Sequence, residues 1–122
     1  MIVVDKPKYK MSIDETKCEV LIQLNGIIRQ HVVSEYFEDL DDVADKVVVE
    51  HYTLIVDATL QSALASDVVT VLIPALLYYQ TFGFGEVVVV TPISKISNAQ
   101  VKEALKAVDF TGTVVAPNLP QN

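Results

Sequence analysis

Residues 53–90 read TLIVDATLQSALASDVVTVLIPALLYYQTFGFGEVVVV. Two runs rich in β-branched residues, TLIVDA at 53–58 and EVVVV at 86–90, bracket a longer apolar stretch. Short continuous apolar runs are the pattern of strands, and the segment between them has helical length. The whole therefore predicts a strand–helix–strand unit. Both strands read as central ones covered on two faces, because neither alternates with polar residues. Within the unit, residues 68–85 carry no charged side chain, although the chain as a whole has a net charge of −7. A helix lying on a sheet needs only an apolar stripe and keeps charge on its outer side. This one has no charged side. Either a second layer covers it or it is a contact surface.

Outward from that unit the remaining elements fall into order. Residues 8–13 (KYKMSI) and 18–25 (CEVLIQLN) predict two strands joined by a polar turn, with Gly26 ending the second. Ser34 is placed to cap a helix ending near Val49, with Phe37, Leu40, Ala44 and Val47 on its inner face. Ser66 and Asp67 are expected to open the uncharged helix, whose stripe is Val68, Leu72, Ala75, Tyr79 and Phe82. Pro74 inside that helix forces a bend costing about 3 kcal/mol; the alternative is a helix that starts at Pro74. Ser97 and Gln100 have the spacing of a capping box before a helix with Val101, Ala104, Leu105 and Val108 inward. Residues 111–116 (TGTVVA) make a last short strand.

The expected fold is α/β: a single-layer mixed, mostly parallel sheet with helices, in the order β-β-α-β-α-β-α-β. Such alternation implies right-handed crossovers. Four or five strands are expected, with 53–58 and 86–90 as parallel neighbours. The 122 residues suit one domain, 1–122, with frayed ends at 1–7 and 117–122.

Composition excludes several functions. Nine Lys and Arg against 16 Asp and Glu leave no basic patch for a phosphate backbone, so no nucleic-acid partner is expected. The run at 68–85 reaches the minimum for a membrane span, but Asp67 and Glu86 border it and no basic residue flanks it. A single cysteine, Cys18, permits no internal disulfide, and a small buried thiol in a reducing cytosol is the expectation. The N-terminus lacks signal-peptide order.

The candidate chemistry is sparse. Asp57 ends a strand, where open α/β sheets place functional groups. A receiver-type phosphoacceptor there also needs an acidic pair after an early strand, yet that strand runs into Leu24-Asn25-Gly26. Thr59 and Ser62 are hydroxyls without a positioned base, which is not a triad. His31 and His51 have no ligand-like spacing, and Glu38 and Asp42 lie on an ordinary solvated helix face. Gly83 and Gly85 precede a strand, the wrong order for a dinucleotide loop, so no cofactor is expected. An enzyme acting through Asp57 and a lipid or small-molecule carrier using the uncharged helix are the competing readings.

The element order, with TLIVDA leading to a helix and then GFGEVVVV, resembles a STAS domain, the fold of anti-sigma factor antagonists and sulfate transporter tails. The resemblance covers most of residues 8–116 and rests on order and spacing. It implies a non-catalytic, regulatory, cytoplasmic protein–protein interaction module. The family's phosphorylatable turn aligns with Ser66-Asp67-Val68-Val69, so the acceptor position falls on Asp67 and the usual glycine is missing. A carboxylate there either imitates a permanently phosphorylated serine or simply opens the helix. On the outer face of the uncharged helix, Val71, Pro74, Leu77, Tyr78 and Thr81 are the expected contact residues, for a protein partner or a second copy in a homodimer.

Overall fold

The computed structural model describes residues 1–62, 64, 70 and 72–117. Six strands form one sheet: β1 (Ile2–Asp5), β2 (Tyr9–Asp14), β3 (Glu19–Gly26), β4 (Thr53–Gln61), β5 (Glu86–Val90) and β6 (Thr113–Val115). Their order across the sheet is their order in the chain. β1, β2 and β3 pair antiparallel, and β3, β4, β5 and β6 pair parallel. Three α-helices occur among the described residues, α1 (Gln30–Ala44), α2 (Leu72–Thr81) and α3 (Lys95–Ala107), one in each parallel crossover. The fold is thus α/β with a mixed, mostly parallel sheet, as the sequence predicts, with β4 and β5 as parallel neighbours.

The register shows where the core lies. Met11, Ile22, Val56 and Val89 stand in one row across the sheet, and Ile13, Val20, Leu54 and Val87 in the next. Both rows are buried. The buried residues of all three helices join the same cluster: Tyr36, Leu40 and Val43 from α1, Leu76 and Tyr79 from α2, and Val101, Ala104 and Leu105 from α3. The alternate row, Ser12, Leu21, Ile55, Val88 and Thr113, lies on the other face and is half-buried or exposed. The three described helices therefore all pack on one face. This corrects the reading of β4 and β5 as strands covered on both faces. Crossovers of one hand that advance in one direction put every helix on the same side of the sheet.

Several boundaries differ from expectation for identifiable reasons. Residues 2–5, read as a frayed end, form β1, which pairs with β2 and raises the strand count to six. α1 begins at Gln30, with Arg29 as an extended N-cap that makes no side-chain capping bond, so Ser34 is inside the helix. It stops at Ala44, and a 3₁₀ turn at Val49–His51 precedes β4. β4 continues past Asp57 to Gln61. Pro74 lies in the first turn of α2 as described, a position that tolerates proline; the expected helical stretch before Leu72 falls on residues outside those described. Ser94, not Ser97, caps α3, accepting from the Ser97 N–H. Cys18 is half-buried in the β2–β3 turn with φ of 54°, outside the strand and the core. Ser66, Asp67, Val68 and Val71 lie outside the described residues.

Gly112 opens β6, and a Cβ there would stand 2.2 Å from the Val87 carbonyl oxygen. No rotamer relieves a clash with backbone. Gly112→Ala is expected to push β6 from β5 and cost about 1–3 kcal/mol. Urea denaturation checks the loss, and faster amide exchange confined to residues 113–115 and β5 locates it.

Candidate functional site

The C-terminal ends of the parallel strands are where an α/β sheet presents its functional groups. Within β4, four residues short of its end, the Asp57 carboxylate accepts bonds from the Thr59 backbone N–H at 3.0 Å and the Thr59 hydroxyl at 2.5 Å. These bonds hold the irregularity at which the β3–β4 register shifts between Gln23 and Asn25. Asp57 and Thr59 are thus occupied in shaping backbone. The Ser62 N–H donates to the Gly26 carbonyl and extends the β3 connection. Gln100, on α3, brackets the main chain of Leu64: its Oε1 accepts from the Leu64 N–H and its Nε2 donates to the Leu64 carbonyl. That is a side-chain copy of a strand pairing. It ties the segment after β4 to α3. The sequence shows Gln100 only as an apparent capping residue.

Neither histidine joins this edge. His31 is exposed on α1 and His51 is exposed in the 3₁₀ turn. Among the described residues, no group of three or more His, Cys, Asp or Glu could hold a metal ion. No helix among them is long and apolar enough to cross a membrane.

What the edge does carry is exposed aliphatic surface. Ile27 follows β3, Leu60 belongs to the last turnout of β4, Ile93 follows β5, and Ile73 and Ile96 sit in the first turns of α2 and α3. Leu60 is 61% exposed and Ile96 is 66% exposed, values far from those of core residues. On α2 the patch continues along one face. Ile73, Leu77 and Thr81 recur at four-residue spacing and all are exposed, as is Pro74. Leu77, at 47% exposed, stands out most clearly on that outer face. Sequence reading missed Ile73; its signal was the four-residue step to Leu77. It also missed Ile27, Leu60 and Ile93, each an aliphatic residue at or just past a strand end, and Ile96 in the first turn of α3.

Tyr78 is different. It is half-buried, and its hydroxyl donates to the Asp41 carboxylate at 2.5 Å. Its ring meets Phe37 edge-on at 5.1 Å and Phe82 at 4.9 Å. Tyr78 therefore anchors α2 to α1, and only part of it faces outward. The same series of edge contacts runs on through Phe37, Tyr36 and Tyr9. At its other end, Asp39 accepts from Lys6 and from the Tyr9 hydroxyl, and Lys6 also pairs with Glu35. Burial alone would raise the Asp39 carboxyl, but the bonds from Lys6 and Tyr9 outweigh it and hold it below the usual range.

Between α1 and α2 lies a cavity of about 70 Å³, lined by apolar side chains and by Gln61. Gln61 is buried, and its Nε2 has no hydrogen-bond partner. A buried unpaired donor costs about 1–3 kcal/mol. Tyr36 and Tyr79 both line the cavity, and their hydroxyls bond each other. Burial pushes Tyr79 up to about 12, partly offset by the Tyr36 bond, and burial raises Tyr36 well above the ordinary phenol. Burial also raises Tyr9 and Tyr52, and the Asp41 bond raises Tyr78. All five tyrosines of the chain thus ionise late. A folded-state pKa above the unfolded one contributes stability that is complete below the unfolded value, about 10. That stability is lost as pH rises through the folded values. Ultraviolet titration should show little tyrosinate near pH 10, then a rise coinciding with loss of helical circular dichroism. About half of the maximal tyrosinate signal at pH 10 from the folded chain, as ordinary phenols give, would contradict these environments.

No known family model matches the chain, and no characterised protein matches it.

Proposed function

We propose that this chain is a non-catalytic, STAS-like interaction module that acts in the cytoplasm through the uncharged surface of α2 and the adjoining sheet edge. One observation carries the reading. Ile73 and Leu77 are exposed on a helix in which no charged side chain occurs between Thr70 and Gly85. Aliphatic side chains without interleaved charge are what a partner covers, whereas a solvated helix face carries charge. The sequential strand order, the parallel β4–β5 pair and the placement of helices on one face support the STAS-like class. The engagement of Asp57 and Thr59 with local backbone favours a scaffold over a phosphoacceptor or a nucleophile. Asp67, at the family's switch position, would act as a fixed acidic residue and leave the module without a serine switch. The contact residues are Ile73, Pro74, Leu77 and Thr81, with the outward edge of Tyr78 and, from the sequence, Val71.

The test is a charge-bearing variant of the α2 face, Ile73→Glu with Leu77→Lys, assayed for association and for folding. Loss of association in a folded variant supports the proposal.

A further inference from the structure

We infer that the cavity between α1 and α2 is an anchor pocket for one small aliphatic side chain of a cationic partner protein, whose backbone carbonyl accepts from Gln61. The inference rests on the interaction-module reading and names the chemistry of the partner.

The first observation is the unpaired donor. Gln61 is 4% exposed, lines the cavity, and its Nε2 lacks a partner. A buried water needs two to four polar partners. Besides Gln61, the described wall offers three tyrosine hydroxyls, of which those of Tyr36 and Tyr79 bond each other and that of Tyr9 donates to Asp39. A carbonyl oxygen flanked by apolar atoms satisfies both the amide and the wall. A peptide unit next to an aliphatic side chain has that form.

The second observation is size. An apolar cavity of about 150 Å³ accepts benzene. One of about 70 Å³ accepts roughly half as many carbons, the branched end of Val, Leu or Ile. Three or four buried carbons and one hydrogen bond hold a free small molecule at only about millimolar Kd. That is weak for a carrier but sufficient for an anchor whose neighbours add contacts. The neighbours are present. Two lining residues have an exposed aliphatic neighbour in sequence, Ile28 beside Ile27 and Leu72 beside Ile73. Leu60, next to Gln61 on β4, turns to the other face of the sheet, beside Lys6 and Lys10.

The third observation is charge. The chain carries −7, so a second copy is repelled and a cationic partner is attracted at long range. A basic segment presenting one aliphatic residue is the complementary occupant.

The probe is N-acetyl-leucinamide, titrated into the isotope-labelled full chain and followed by NMR. The expected result is saturable shifts of the Gln61 side-chain amide and of the Leu64 and Leu72 methyls, with Kd of about 1 mM. N-acetyl-glycinamide should leave them in place. At low salt, acetyl-lysyl-leucyl-lysinamide should bind several-fold more tightly than acetyl-glutamyl-leucyl-glutamamide. Ala75→Leu fills the cavity and should weaken binding at least tenfold. Should that variant not fold, Gln61→Leu decides the matter: it removes a donor without a protein partner, and binding should weaken several-fold. Leucinamide shifts no larger than those from glycinamide overturn the inference, as does unchanged binding by Gln61→Leu. A preference for the glutamyl peptide overturns the cationic partner. If Ile73→Glu with Leu77→Lys abolishes association while leucinamide shifts nothing, the pocket inference falls and the module reading stands. If leucinamide binds as expected while that variant associates like the wild type, the α2 surface falls and the pocket stands.

Discussion

Replacing Tyr36 with alanine is expected to destabilise the fold by about 3–5 kcal/mol, the range for truncating a large buried aromatic. The side chain is 7% exposed. It meets Tyr9 edge-on at 5.2 Å and Phe37 at 5.3 Å, so it joins β2 to α1. Its hydroxyl pairs with that of Tyr79 and so joins α1 to α2. Truncation opens a void beside an existing cavity and leaves the Tyr79 hydroxyl buried without a partner. Domains of this size have about 5–15 kcal/mol in total, so the variant sits near the threshold of folding. Tyr36→Phe keeps the ring and loses only the hydroxyl pair, with an expected cost of about 1–3 kcal/mol. Urea denaturation of the two variants separates packing from hydrogen bonding. Equal losses in both would show that the ring contacts contribute nothing beyond the hydroxyl.

The Tyr36 junction also explains what the sequence could and could not reveal. β4 and β5 are legible because their β-branched runs leave little alternative to a strand. How many faces those strands bury is not legible from the same letters. Ile55 and Val88 look like core residues in sequence but lie on the uncovered face of the sheet. An apolar run fixes the local conformation, while the side on which helices pack follows from the crossovers. The start of α1 was hidden because Arg29 makes no side-chain capping bond, whereas Ser34 carries a capping residue's letter inside the helix. Ser97 and Gln100 have capping-box spacing, yet Ser94 caps the helix and Gln100 bonds across to Leu64. Spacing cannot distinguish a bond within a turn from a bond to a segment 36 residues away.

The site shows the same division. The uncharged character of α2 is plain in the sequence, and so are Pro74, Leu77 and Thr81 on its outer side. The sequence places Tyr78 on the outer, partly exposed contact face, but its anchoring to Phe37 and Asp41 is not legible there because those partners lie on another helix. The exposed aliphatic residues Ile27, Leu60, Ile93 and Ile96 come from four separate segments, and their common place at this end of the sheet is set by the fold and not by nearness in sequence. The Gln61 donor is likewise a tertiary feature. A lone glutamine at a strand end has no sequence signature of burial.

The second large effect concerns association. Ile73→Glu places an acidic side chain in the first turn of α2, where the helix dipole favours it. Leu77→Lys then lies four residues further on, in the orientation that supports a helical ion pair. Both positions are exposed, so the double variant removes aliphatic surface without opening the core. The change in folding stability should stay within about 0.5 kcal/mol, as for other surface substitutions. Loss of two central aliphatic contacts, with two charges to desolvate, should weaken partner binding at least a hundredfold.

The decisive measurement is therefore sedimentation velocity on the wild type and on this double variant, each with the partner captured by the wild-type chain, alongside circular dichroism. The account predicts that the wild type sediments as a complex, that the variant sediments as a free monomer, and that both give the same folded spectrum. A folded variant that still forms the complex, or a wild type that remains monomeric and captures nothing, contradicts the claim that α2 is the contact surface.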